Sequence, residues 1–245
     1  MQNESKNLMT EHLSKSQIKW VRSLQQKKNR DAEGVFMAEG KKCVEELRSA
    51  FELVLLVTPD NATEAEIAQM SNLRTPQGVI GVFRRGERQK ARGKELVVAL
   101  DGVQDPGNLG TIIRTCDWFG VHDIYCSKDT ADCYNPKVVQ ATMGALARVR
   151  VHYLDLEPWL QEVQAAGLPL YGTLLEGRNM YEAGAIADKG RGVIIMGNEG
   201  NGISPMIREL ITHPIRIPSY PADAETSESL NVGIATAIVL AEFRR

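Results

Sequence analysis

The sequence has no paired-cysteine signature. Its four cysteines (Cys43, Cys116, Cys126, Cys133) form no C-x-x-C pair, and its four histidines are scattered. Neither a zinc site nor a disulfide framework is indicated, so reduced thiols in a cytoplasmic protein are expected. Any apolar run approaching the roughly 18 residues of a membrane helix is missing, and the start MQNESKNLMTEHLSKSQ is too polar for a signal peptide. An excess of charge is missing too. The 29 Lys and Arg stand against 31 Asp and Glu, a formal net charge of −2, so affinity for a polyanion must come from local basic patches. Finally, the glycine-rich turn after the strand VVAL carries no G-x-G-x-x-G, which disfavours a dinucleotide dehydrogenase.

What is present is an ordinary globular composition, 43% apolar and 24% charged, over 245 residues. That length suits one large domain or two modest ones. After a frayed leader over 1–14, SKSQIKWVRSLQQKKNRDAEG reads as one surface helix with a Ser cap, basic on its outer side and ended near Gly34. Then come strand and helix in GVFMAEGKKCVEELRSA, the strand ELVLLVT, a turn with a short helix over 59–70, and the strand GVIGVFRR. This is a small α/β domain over 1–85. Residues 86–95 form a basic linker. A solvated connector explains it; if the protein binds RNA, Arg84, Arg85, Arg88, Lys90, Arg92 and Lys94 are natural phosphate contacts. From 96 to 245 strands and helices alternate, and continuous apolar strands such as VVAL and VIIM suit a mostly parallel sheet with helices on both faces.

In open α/β sheets, ligands gather beyond the carboxyl ends of the strands. Three turns of the second domain fall there. In DGVQDPGNLG, Asn108 suits a helix N-cap, with Leu109, Ile112, Ile113, Cys116 and Phe119 as the buried stripe and Gly120 as the stop. Arg114 lies off that stripe; it is either a solvated arginine or a guanidinium placed for a phosphate or a developing oxyanion. In VIIMGNEGNGISP, three glycines let the backbone turn tightly around Asn198 and Glu199. That carboxylate either caps the next helix or orients an amide, hydroxyl or arginine. In the last turn, ESLN places Glu228, Ser229 and Asn231 at the mouth of a helix apolar nearly all round, which must be buried in the core or against another subunit. Arg244 and Arg245 suit the negative end of that helix.

The three turns, in this order, resemble the SpoU (TrmH-like) family of RNA ribose 2'-O-methyltransferases. NLGTIIR, GNEGNG and IP…SLNV match its three motifs over residues 96–245, while FMAEG and QGVIGVF more loosely resemble the small substrate-binding domain many members carry. The resemblance implies a knotted fold of the SPOUT superfamily, in which the C-terminal segment threads through a loop to form the cofactor pocket. It also implies a homodimer, S-adenosylmethionine as cofactor, and ribosomal or transfer RNA as partner and substrate. By motif position, the cofactor falls to Thr173, Leu175, Gly177, Gly197, Asn198, Ile217 and Leu230, and catalysis to Asn108, Arg114, Glu199, Ser229 and Asn231. Arg114, a poor general base, is expected to hold the adjacent phosphate and to stabilise the forming alkoxide. Two departures stand out. The segment SYPADAETSES after Pro218 is longer than the family pattern, and Gln140 and Thr142 replace the arginine and serine of R-A-S-x-G-A. The alternatives are a base-methylating relative and a non-catalytic RNA-binding homologue.

Overall fold

The computed structural model describes residues 12–86, 95–221 and 229–245. The chain divides into two units, one of Met1–Glu87 with Asp132–Arg148 and one of Arg88–Ala131 with Val149–Arg245.

The first helical stretch is two helices rather than one. Ser14 and Gln17 build a capping box that starts α1, Lys15–Ser23, and Gly34 (φ 64°) ends α2, Lys27–Glu33. The break lets Leu24 turn fully into the core. Arg30, itself 1% exposed, supplies what the break leaves open, its Nη1 donating to the carbonyls of Leu24 (3.0 Å) and Gln25 (2.9 Å). A three-stranded antiparallel sheet follows, ordered β1-β3-β2 from Val35–Glu39, Leu53–Val57 and Ile80–Arg84. Helices α3, Lys41–Arg48, and α4, Glu64–Met70, connect these strands.

Residues 132–148, expected from the sequence in the second domain, pack with the first unit. Three contacts account for this. Asp132 accepts from Arg30 Nη2 at 2.7 Å, Tyr134 packs on Phe36 with ring centroids 4.8 Å apart, and Arg148 pairs with Glu46 at 2.7 Å. Asn135 caps α6, Pro136–Thr142, within this segment.

The second unit is a six-stranded sheet ordered β6-β5-β4-β8-β7-β9, parallel throughout. Its strands are β4 Leu96–Leu100, β5 Asp123–Cys126, β6 Arg150–Tyr153, β7 Leu170–Asn179, β8 Gly192–Met196 and β9 His213–Arg216. The expected α/β class with a parallel sheet is what forms, and VVAL and VIIM lie side by side at its centre. Helices α7, Leu156–Ala165, and α8, Pro205–Leu210, bring Leu156, Leu160 and Ile207 onto one face with Ala99, Val193 and Ile195. On the opposite pleat Val98, Leu100 and Ile194 are fully buried as well. From β4 the chain runs outward to β5 and β6, then returns to the far side of β4 through β7 and β8. The direction therefore reverses between β4 and β8, the crevice where such sheets collect ligands.

The candidate active site

The loops leaving β4 and β8 meet at this crevice. Helix α5, Pro106–Trp118, begins after the first of them. Its cap is not Asn108, as the sequence suggested, but Asp105, whose side chain accepts from the Asn108 N–H at 2.9 Å. The reason is Pro106. It has no N–H to offer and a backbone already set for the first helical position, so the cap falls on the residue before it.

That shift frees the Asn108 amide. Its Nδ2 donates to Glu199 Oε1 at 3.0 Å, and its Oδ1 accepts from Asn231 Nδ2 at 2.8 Å. Glu199 also accepts from the backbone N–H groups of Gln104 (3.3 Å) and Asp105 (3.2 Å). Partial burial opposes ionisation of Glu199, but the Asn108 amide and these backbone donors outweigh it and hold the carboxyl below its usual range. Asn231 then caps the last helix, α9, Val232–Phe243, accepting from Gly233 N (2.9 Å) and Ile234 N (3.2 Å). Three segments far apart in sequence are thus joined through two amides and one carboxylate. Glu199 does not cap the following helix; Ser204 stands at that position.

Arg114 is exposed on α5 and has no ion pair among the described residues. Ser229 is likewise exposed, without a side-chain hydrogen bond among the described residues. Asp101, which the sequence did not single out, accepts from Ser204 N at 2.7 Å and ties the β4 loop to the start of α8. Its only signal was an acid directly after VVAL.

The cofactor candidates lie on β7, on the β8 loop and beside β9. Along β7, both Thr173 and Arg178 pair with Ile215, so residues 174–177 bulge from the ladder. Thr173 Oγ1 donates to the Ile195 carbonyl at 3.2 Å, and Leu175 is 69% exposed. A Cβ on Gly177 would meet the Ile215 carbonyl oxygen at 2.5 Å, and one on Gly197 the Gly202 carbonyl oxygen at 2.6 Å, so backbone passes backbone at both positions. The Asn198 side chain is used within the protein: its Nδ2 donates to Gly102 O at 2.6 Å and its Oδ1 accepts from Gly200 N at 2.8 Å. Ile217 is half-buried, and Leu230 is 52% exposed.

Of the basic residues, Arg84 pairs with Glu52 at 3.1 Å on the surface. Arg85 is engaged within its unit, donating to Asp31 at 2.7 Å and lying 4.8 Å from the Tyr134 ring centroid. Arg88, Lys90, Arg92 and Lys94 lie outside the described residues, as do Glu228, residues 222–227 of the lengthened segment and the leader through residue 11. Among the described residues no group of three or more His, Cys, Asp or Glu could hold a metal, and no helix is long and apolar enough to cross a membrane.

The apolar last helix packs along α5, where Gly233 brings it close to Thr111. Arg244 does not serve its own helix end. It donates to the carbonyls of Phe119 (2.9 Å) and Gly120 (3.2 Å), closing the end of α5.

Comparison with known proteins agrees with this layout. The family described as SpoU rRNA Methylase matches residues 95–241, and an MRM3-like substrate binding domain matches 15–66. The 23S rRNA (guanosine(2553)-2'-O)-methyltransferase RlmP of Bacillus subtilis is 29% identical, over 96% of this chain and 98% of its own. A solved structure from Porphyromonas gingivalis, assigned to the TrmH family of RNA methyltransferases, superposes with a TM-score of 0.86 at 38% identity, covering 95% of this chain and 98% of that one. An AdoMet-bound rRNA methyltransferase from Sinorhizobium meliloti gives 0.81 at 32% identity, covering 96% and 97%. With the match running from the start of β4 into the last helix, and with the three joined loops falling inside it, the chain belongs to the SpoU rRNA methylase family.

Proposed function

We propose that this chain transfers a methyl group from S-adenosylmethionine to a ribose 2'-hydroxyl of ribosomal or transfer RNA. The observation that carries this reading is the chain of hydrogen bonds from Glu199 through Asn108 to Asn231, which fixes three loops at the sheet's switch point. Cofactor-bound relatives of the same fold support the choice of cofactor.

The residues present fit that cofactor. Gly177 and Gly197 leave no room for a side chain, while Leu175 and Leu230 present uncovered apolar surface suited to a nucleoside. Thr173, Ile217 and the backbone at Asn198 complete the candidate set, and a C-terminal segment threaded as a trefoil knot is part of this proposal. S-adenosylmethionine supplies a methyl group already activated on a sulfonium. The protein's task is then to orient the ribose oxygen and ease loss of its proton. The role of Arg114, a forked cation, is to hold the neighbouring phosphate and to stabilise negative charge growing on the 2'-oxygen. Asn108, Ser229 and Asn231 position the ribose and its loops; Glu199 sets the Asn108 amide.

The same reading includes a homodimer in the cytoplasm. Trp118, Leu230 and Ile234, at 85%, 52% and 54% exposure, leave apolar surface around the last helix that a second copy would cover. The small first domain and the basic linker select the RNA.

The test supplies labelled S-adenosylmethionine and RNA from cells lacking the protein to wild type, Arg114→Ala and Arg114→Lys. Label on a ribose 2'-oxygen, absent with Arg114→Ala, is the expected result. Label on a base would refute it, and near-normal turnover by Arg114→Lys would remove the forked contact to phosphate.

A further inference from the structure

The first unit contains a cavity of about 270 Å³ that shares no residue with the methyl-transfer site. Met37 and Leu73 contribute apolar wall, Glu39 lines it too, Asn72 and Gln140 add two residues with side-chain amides, and Lys137 stands on the same helix as Gln140. The volume is just below the ~300 Å³ at which pockets for whole drug-sized ligands begin, so it suits one planar ring system better than a complete nucleotide.

The polar groups say which edge such a ring must present. Glu39 is 5% exposed, held by Ser71 Oγ at 2.6 Å and Asn72 N at 2.6 Å. Each carboxylate oxygen therefore accepts one bond and keeps capacity for another. A buried carboxylate repels phosphate, which excludes the RNA backbone from the cavity itself. It welcomes N–H donors. Asn72 Nδ2 has only the Met37 thioether at 3.5 Å, a weak acceptor, and the Gln140 side chain has no hydrogen bond among the described residues. Two amide-bearing residues and a carboxylate thus line the cavity with bonding capacity unused.

We propose that this cavity takes an unstacked guanine of the substrate RNA; the inference rests on the reading of the chain as an RNA methyltransferase and names a recognition site for it. Guanine presents N1–H and the N2 amino group side by side, a two-donor edge that matches a carboxylate. Uracil offers one donor flanked by two acceptors, and adenine and cytosine set an acceptor beside their amino group. An amide N–H of Gln140 or Asn72 serves the guanine O6. Single-stranded RNA is commonly read in this way, by splayed bases bonded on their Watson–Crick edges. Lys137, exposed on the same helix, is free to meet the flanking phosphate.

The experiment follows the side-chain amide resonances of Asn72 and Gln140 in the full chain while GMP, AMP, CMP and UMP are added singly. GMP is expected to shift both, and Gln140→Leu to weaken that binding about tenfold while leaving S-adenosylmethionine affinity and melting temperature unchanged. Methyl transfer to RNA is measured alongside, where Gln140→Leu should raise the KM for RNA by a similar factor without lowering kcat. Equal shifts with all four nucleotides would overturn the choice of guanine. Normal methylation with no shift from any nucleotide, and an unchanged KM in Gln140→Leu, would overturn the site. If the wild type methylates no RNA yet GMP still shifts both amides, the methyltransferase reading fails and the cavity remains a guanine site.

Discussion

Asn231 donates its Nδ2 to Asn108 Oδ1 at 2.8 Å, although 123 positions separate the two in the chain. The direction of this bond is dictated from elsewhere. Glu199, ionised, can only accept, so Asn108 must turn its NH₂ toward it and its oxygen toward Asn231. Asn231 must then turn its NH₂ toward Asn108, and its oxygen is left for the first N–H groups of the last helix. One carboxylate thereby sets the sense of two amides and the cap of a helix.

Glu199→Gln should disturb this order while keeping size. Glutamine has one acceptor oxygen where the carboxylate uses both, for Gln104 N, Asp105 N and Asn108 Nδ2. We expect a kcat at least about tenfold lower, from a lost charge-assisted bond of roughly 1.5–3 kcal/mol. Asn231→Asp separates linkage from capping. Aspartate still caps the helix but offers Asn108 no donor, so turnover should fall with little change in melting temperature. Steady-state kinetics beside thermal melts would check both, and full activity in Asn231→Asp would sink the relay.

The glycines at the candidate cofactor loops yield a second prediction. Gly177→Ala places a methyl group 2.5 Å from the Ile215 carbonyl oxygen, and Gly197→Ala places one 2.6 Å from that of Gly202. Backbone must move in both, and overpacking of this kind costs about 1–3 kcal/mol. Titration calorimetry should show S-adenosylmethionine affinity falling by about tenfold or more, 1.4 kcal/mol per decade, whereas Gly86→Ala, whose Cβ would meet nothing closer than the Phe51 ring at 3.9 Å, should leave affinity unchanged.

Asp123 gives the fold a pH dependence. Burial pushes its carboxyl up, but the bonds from His152 Nε2 (2.8 Å) and the Arg150 guanidinium (2.8 and 2.5 Å) prevail and hold it at about 2, below the ordinary 3.8. A depressed pKa means the native state favours the carboxylate. The stabilisation is therefore complete above about pH 4 and fades as pH falls through about 2. Its size is on the order of 2 kcal/mol. Asp123→Asn should melt several degrees lower than wild type at pH 6, with the gap narrowing below pH 4 in denaturation series. A gap independent of pH would exclude this origin.

The periodic parts of the molecule were legible in the sequence. VVAL and VIIM announced buried parallel strands because every residue in them is apolar; β2 was visible for the same reason, and β1 and β3 as apolar runs closed by Glu39 and Arg84. Glycines 34 and 120 marked helix ends because a positive φ is needed there. Side-chain preference alone puts a cap at Asn108, and the stronger constraint of Pro106 moves it to Asp105. The pattern over 15–34 reads as one unbroken helix because the group that makes its break tolerable, Arg30, sits six residues beyond Leu24 and reads as solvated. Segment 132–148 could not be assigned to the first unit from sequence at all, since its ties to Arg30, Glu46 and Phe36 cross about a hundred residues. At the candidate site, residue types were legible by motif; that Asn108 links two distant loops required the third dimension.

Arg30 carries the last prediction. Its guanidinium is buried with Nη2 on Asp132 at 2.7 Å and Nη1 on the Leu24 and Gln25 carbonyls, while Nε has no hydrogen-bond partner among the described residues. Arg30→Ala would leave a carboxylate and two carbonyls without their donor, and breaking a buried pair from one side costs about 3–5 kcal/mol. Arg30→Lys keeps the charge but cannot reach three acceptors in a planar fork, so it should recover only part of that loss. Because Asp132 opens the segment that joins the first unit, the cost should appear in that unit. Hydrogen exchange should therefore rise in β1 to β3 and in α6, while the amides of β4 and β8 stay protected. Equal loss of protection in both sheets would mean that the two units unfold as one, and Arg30 would then be a support of the whole chain.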